Sequence, residues 1–219
     1  MSSYVLLTAE LKAVRERGQG RFVDSGWFAF LSKCGLTPLI LGDTDNGVDP
    51  SLFSADCVKG SILIGGGNIS GPYASNADPS QVKESHDNNR EKLEFSLITQ
   101  SIAVAKPIVG ICRGMQAIGC YFGARLHGVS KHAATRHQLT SVSESEVWRN
   151  LRKEVNSYHD YAFLARELPP ALISIAENGE VVEAFRHRDL PIYGMMWHPE
   201  REIDFADADI NFFRRCFNS

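Results

Sequence analysis

The sequence predicts an α/β fold: a mostly parallel open sheet flanked by helices, with a small antiparallel addition. Three observations carry this. Short apolar runs alternate with helical patterns through the first half of the chain, the pattern of a parallel sheet covered on both faces. Two of those runs exit into glycine, at GGG (65–67) and in the turn GICRG (110–114). After the second exit the stretches turn polar and alternating, as antiparallel strands do.

The elements follow in order. Residues 4–8 (YVLLT) read as a first strand, 25–31 carry apolar residues at helical spacing, and 37–41 (TPLIL) form the next strand. Residues 61–67 (SILIGGG) are a strand running into three glycines. Residues 68–89, rich in Gly, Pro, Ser, Asn and Asp, are expected to be an ordered loop or lid. The helix expected over 90–105 aligns Leu93, Leu97, Ile98 and Ile102 on one face, and 107–111 is a short buried strand. A helix over 113–122 follows, with Met115, Ile118 and Phe122 at helical spacing. Residues 138–147, 172–176 and 181–185 are expected antiparallel strands, 192–197 another strand, and 204–217 the closing helix.

Bulk properties narrow the class. A chain of 219 residues fits a single domain spanning 1–219 with a substantial core. Hydrophobic content of 43% and charged content of 22% are those of an ordinary globular protein. The formal net charge of −3 argues against a nucleic-acid-binding surface. Five cysteines, an odd number without framework spacing, fit a reducing compartment. The N-terminal stretch lacks a basic start before an apolar core, and no segment approaches the length of a membrane span. A cytoplasmic protein without membrane or nucleic-acid partners is expected.

The turn around Cys112 is the chemical signal. A strand-to-helix turn this sharp leaves no room for side chains on both sides, so Gly110 and Gly114 flank it and the central residue is thrust out. A thiol there also meets a helix N-terminus, which favours thiolate. The other cysteines (34, 57, 120 and 216) fit the common fate of a buried structural thiol. A cysteine nucleophile needs an imidazole and a group to orient it. His198 and Glu200, in WHPER after the last strand, supply both, with Pro199 stiffening the turn between them. The tetrahedral oxyanion of acyl transfer needs N–H donors. The backbone of Arg113, at the helix start, offers one, and Gly65, Gly66 and Gly67 offer another, since missing side chains admit a ligand close to the backbone.

Through GICRGMQ, GGGN, VNSYHDYA and MMWHPER, the chain resembles the class I glutamine amidotransferase superfamily, nearest to its stand-alone γ-glutamyl hydrolase branch. The resemblance extends from Asp24 to Glu200, and REKLE (90–94) is similar to that branch's R-D-x-x-E, with Glu91 in place of Asp. It implies a flavodoxin-like fold and a Cys112–His198–Glu200 triad that forms a γ-glutamyl thioester and releases glutamate. It also implies substrate-binding roles for Gln116 and for the segment Ser157, Tyr158 and His159.

His127, His132 and His137 match no usual zinc spacing and have no accompanying carboxylate or cysteine in sequence, so no metal or other cofactor is expected. His132 and His137 are read as substrate contacts or as loop histidines. Three functions compete: a stand-alone hydrolase of small γ-glutamyl amides, a glutaminase subunit feeding ammonia to a separate synthase, and a non-catalytic binding module. The intact Cys, His and Glu oppose the third. A homodimer or a separate synthase partner stays open. Within the branch, the resemblance extends to hydrolases of surface-polysaccharide biosynthesis whose γ-glutamyl group is joined through nitrogen to cytidine diphosphate, with γ-glutamyl-polyamine or γ-glutamyl-aminobutyrate as the alternative. Arg113, Lys131, His132, Arg136 and His137 are the expected donors to such a diphosphate.

Overall fold

A computed structural model describes residues 3–14, 18–42, 48–69, 87–143 and 145–217. Its central layer is built from β1 (Tyr4–Leu7), β4 (Thr37–Ile40), β5 (Val58–Leu63), β6 (Ile108–Ile111) and β14 (Ile192–Met195). These five pair in parallel in the order β4-β1-β5-β6-β14. Beyond β14 the sheet continues antiparallel through β13 (Val181–His187), to which β11 (Tyr161–Leu164) and β12 (Leu172–Asn178) both pair. The expected parallel sheet with an antiparallel addition is what the chain forms.

Alternation along the strands explains the layering. Successive side chains on a strand point to opposite faces. Leu6, Leu63 and Ile108 therefore join one core, with Leu93, Leu97 and Ile98 of α3 (Asn88–Val104) and Met115 and Ile118 of α4 (Arg113–Tyr121). Val5, Leu7, Ile62, Val109 and Ile111 join the other, with Trp27, Phe30 and Leu31 of α1 (Gly26–Cys34) and Phe213 and Phe217 of α5 (Asp207–Phe217). Edge-on aromatic packing between Phe30 and Phe213, 4.9 Å between centroids, locks α1 to α5. A short helix α2 (Pro50–Ser54) is capped by the Asp49 side chain, which accepts from the Ser51 N–H.

Three expectations are corrected. Residues 138–147 do not form one strand. β8 (Thr135–Gln138) pairs with β10 (Glu154–Ser157) in a separate two-stranded sheet, β9 (Thr140–Ser141) adds to β12, and described residues beyond it run in bends and turns. A hairpin of β2 (Glu10–Val14) and β3 (Gly18–Phe22) lies where no strand was expected, because the alternation in ELKAV is short and the partner strand GQGRF is glycine-rich and polar. Cys57 is exposed in the turn before β5, whereas Cys34, Cys120 and Cys216 are buried as expected. Most of the expected loop over 68–89 lies outside the described residues. No helix among the described residues is long and apolar enough to cross a membrane.

Candidate active site

Three strand exits meet at the carboxyl edge of the parallel sheet, where open α/β sheets collect ligands. The first is the elbow between β6 and α4. Cys112 occupies it with φ 50° and ψ −106°, a backbone conformation that L residues rarely adopt and that sharp functional turns retain. The flanking glycines are required. A Cβ on Gly110 would fall 2.4 Å from the Gly114 carbonyl oxygen, and one on Gly114 would fall 2.0 Å from that of Leu63.

The second exit follows β14. His198 follows the end of the strand at Met195 and caps a 3-10 turn over Pro199–Arg201 that brings Glu200 back beneath it. Glu200 Oε1 lies 2.7 Å from His198 Nδ1, with both residues buried. The other ring nitrogen is free of Glu200, and Cys112 lies near enough to act on the imidazole. Burial opposes the imidazolium, but Glu200 and Cys112, through charge and hydrogen bonding, overcome it and lift His198 to about 9. By contrast, burial pushes the Cys34 thiol up to about 12 and those of Cys120 and Cys216 upward as well, which makes them poor nucleophiles.

The third exit is the glycine run after β5. A Cβ on Gly65 would fall 2.4 Å from His198 Cε1, so the bare glycine lets the imidazole sit against the backbone. Arg90, at the start of α3, donates to the carbonyls of Ile64, Gly65 and Gly66. A trans peptide points its N–H opposite its C=O. Holding the Gly65 carbonyl on the Arg90 side therefore turns the Gly66 N–H away from that side. Arg113 N–H, the first of α4, is an N-terminal donor with no intrahelical acceptor.

Behind these donors lies a buried ionic cluster. Glu94 accepts from Arg90 Nε at 2.8 Å and from Arg113 Nη1, and Thr8 donates to it as well. One carboxylate thus bridges the arginine that shapes the glycine run and the arginine beside the elbow. REKLE, through its similarity to a family pattern, was the signal for it, but Arg90 and Glu94 were not among the expected site residues. The Arg113 side chain is 1% exposed and committed to Glu94 and Glu91, so it is corrected as a diphosphate donor. Arg136 is paired with Glu154 and Glu202 at the surface.

The remaining expected residues divide. Tyr158 is exposed, its ring 5.7 Å from that of His198 and covered by the Arg201 guanidinium at 5.1 Å. Gln116 is fully buried, donates to the Tyr161 carbonyl at 3.1 Å, and keeps its Oε1 without a hydrogen-bond partner. Ser157 points the other way and donates to the His132 carbonyl. The side chains of His132, His137 and His159 converge on Glu183 of β13, at 3.5, 3.3 and 3.4 Å from its Oε1. A carboxylate therefore does accompany the histidines, correcting the reading from sequence spacing. It arrives from a strand far downstream in sequence, out of reach of motif reading. Asn156 was also missed. Its side chain accepts from the His198 N–H and donates to the His198 carbonyl, both at 2.8 Å, fixing the backbone that carries the imidazole.

Known proteins resemble this chain in sequence and in fold. The Peptidase C26 family model matches residues 5–200. The chain is 29% identical over 168 residues to the glutamine amidotransferase-like protein YvdE of Lactococcus lactis, covering 69% of this chain and 70% of that one. It is 33% identical over 113 residues to a glutamine-hydrolysing GMP synthase subunit of Thermococcus kodakarensis, covering 50% of this chain and 60% of the subunit. In fold it resembles a protein named as a GMP synthase subunit from Thermoplasma acidophilum, with a TM-score of 0.66, 21% identity and coverage of 97% and 94% of the two chains.

Proposed function

Because the chain belongs to the Peptidase C26 family, within the class I glutamine amidotransferase superfamily of amide C–N hydrolases, we propose that it cleaves a γ-glutamyl amide through a thioester on Cys112. The observation that carries this is the alignment of the elbow cysteine, His198 and Glu200, with His198 Nδ1 held at 2.7 Å by the carboxylate. Cys112 Sγ attacks the γ-carbonyl, and the oxyanion is received by the N–H groups of Arg113 and Gly66. His198 hands its proton to the departing nitrogen as the C–N bond breaks, leaving a γ-glutamyl thioester and a free amine. A water molecule, deprotonated by the same imidazole, attacks the thioester. The thiol regains its proton and glutamate leaves. The orphaned Gln116 Oε1 suits the glutamyl ammonium, and Tyr158 walls the site beside His198.

For the leaving group we keep the nucleotide-linked phosphoramidate that the sequence resemblance implies. Its donors reduce to Lys131 and to Arg136, which would have to exchange its surface pairing with Glu154 and Glu202 for the ligand, since Arg113 is spent on Glu94 in the interior and the two histidines face Glu183. A side-by-side assay tests it. The kcat/KM for γ-glutamyl nucleotide phosphoramidates should exceed that for glutamine, γ-glutamyl-polyamine or γ-glutamyl-aminobutyrate. Equal or better turnover of the polyamine substrate overturns the leaving group and keeps the triad. The likeness to a GMP synthase subunit supports a second reading, ammonia delivery to a synthase. A lone subunit of that kind should be nearly silent on glutamine until cell extract supplies its partner.

A further inference from the structure

Beside the Cys112 site, we infer that His132, His137, His159 and Glu183 form a zinc site that braces the substrate wall. Glu183 is 0% exposed, His159 3% and His132 7%. A buried carboxylate requires partners. Yet neither Glu183 oxygen has a well-aligned hydrogen bond, nor does His132 Nε2 or either ring nitrogen of His137 and His159, although, against burial, His137 and His159 stand close enough to hold the carboxylate well below its ordinary range. Their Nε2 atoms instead stand 3.3–3.5 Å from a single oxygen, Glu183 Oε1. Two ligands on one tetrahedral zinc, with bonds of about 2.0–2.1 Å, lie about 3.3 Å apart. The ligand atoms of His132, His137 and Glu183 lie within 4.8 Å of one another, so the group must draw inward on the ion, and His159, outside that group but 3.4 Å from Glu183 Oε1, must turn its ring to supply a fourth bond.

The tautomer of His132 points the same way. Its Nδ1 is 2.9 Å from the Ser130 carbonyl, an acceptor, so the ring proton belongs on Nδ1. Nε2 is then the ring atom that faces Glu183, 3.5 Å from its Oε1, and is placed to ligate a cation shared with that carboxylate. A divalent cation answers all four groups together. Three imidazoles with one carboxylate and no thiolate suit zinc. With its ligands buried and His159 beside them as the fourth, the site would be closed and its role structural. His137 belongs to β8 and Glu183 to β13, while the His132 carbonyl receives both the His159 N–H and the Ser157 hydroxyl. The ion would therefore fix the turn that presents Tyr158 to His198. Glu183 also lies alongside the strand leading to His198, its carbonyl accepting from the Met196 N–H at 2.8 Å. This inference does not depend on the chemistry of Cys112.

The test uses the full chain purified without a histidine tag. Plasma emission should find about one zinc per chain after dialysis, and chelator-stripped protein should take up zinc chloride one to one by calorimetry. Glu183→Gln and His137→Ala should lose the metal, whereas Cys112→Ala should keep it. Stripped wild-type protein that keeps its circular dichroism and takes up no zinc overturns the site. So does zinc retained in Glu183→Gln and lost in Cys112→Ala. If the Glu183 and His137 variants fail to fold, the cobalt-substituted wild type decides. Tetrahedral d–d absorption without a thiolate charge-transfer band supports the site, and a thiolate band overturns it.

Discussion

Replacing Glu200 by Gln removes one charge and little volume, and its effect can be worked from the site. His198 is buried, and burial is the largest influence on it and acts to lower its pKa. The rise from 6.5 to about 9 is therefore a net result, held up by Glu200 and Cys112. At about 1.4 kcal/mol per unit, that rise represents roughly 3 kcal/mol of preference for the imidazolium. The substituted glutamine would still accept from Nδ1 through its amide oxygen, so orientation survives in part, while the charge that opposes burial is gone. The alkaline limb of kcat/KM, which reports the free enzyme's acid, should fall by at least one unit from about 9. Activity at neutral pH should drop by up to about 10⁴, the cost of losing the orienting carboxylate charge in a serine triad. Stability must follow with its own sign. A folded pKa raised above the unfolded 6.5 gives stabilisation that is whole below 6.5 and disappears as pH rises through about 9. Denaturant melts of the wild type should weaken across that window more than melts of Glu200→Gln. A Glu200→Gln enzyme whose pH–rate profile superimposes on the wild type's would refute this reasoning, and the third member of the site would have to lie elsewhere.

Cys112→Ala should abolish steady-state turnover with near-unchanged thermal stability, and a mass shift from trapped γ-glutamyl thioester should be seen only when Cys112 is present. Gly65→Ala puts a methyl group 2.4 Å from His198 Cε1, so kcat should fall at least tenfold with little change in circular dichroism. Asn156→Ala frees both backbone groups of His198 and should lower kcat while costing about 1–3 kcal/mol in urea melts. Glu94→Gln leaves Arg90 and Arg113 under-compensated in the interior. The expected cost is about 3–5 kcal/mol, read as a lowered denaturation midpoint.

What was legible in the sequence was what the chain encodes locally. The turn at Cys112 is sharp and needs glycines, and His198-Pro199-Glu200 is one turn of backbone, so motif spacing alone sufficed to single out these candidates. The parallel core was legible because its strands are continuous apolar runs buried on both faces, as in the Ile108–Ile111 strand. The first hairpin was not, because Glu10, Lys12 and Arg21 lie on a half-exposed ribbon whose partners are distant charges. Arg21 reaches Asp87, and Glu10 covers Gly66. Glu183 was invisible for a related reason. It lies inside an apolar strand stretch, VVEAF, where a lone glutamate reads as a solvent-facing position. Only the pairing of β13 with its neighbours turns it inward among three histidines from other segments.

The same contrast separates the residues proposed to react from those that would make reaction cheap. An oxyanion hole is effective when its donors are fixed before charge develops, because no reorganisation is then needed at the transition state. Here the two proposed donors belong to different segments, the glycine run after β5 and the first turn of α4. Neither segment can set its position relative to the other by local geometry. Glu94 does so from α3, since one of its oxygens holds the arginine that orients the Gly65 and Gly66 carbonyls and the other holds the arginine whose own N–H is a donor. Burying three charges for this is costly unless all are paired, and Arg113 Nη2, buried without a hydrogen bond, stands 3.7 Å from Glu91. A carboxylate in that place makes the spacing between two N–H groups a property of the interior, independent of surface loops. This is why the Glu94 variant should lose oxyanion stabilisation as well as stability, with kcat falling and KM little changed at temperatures where it stays folded.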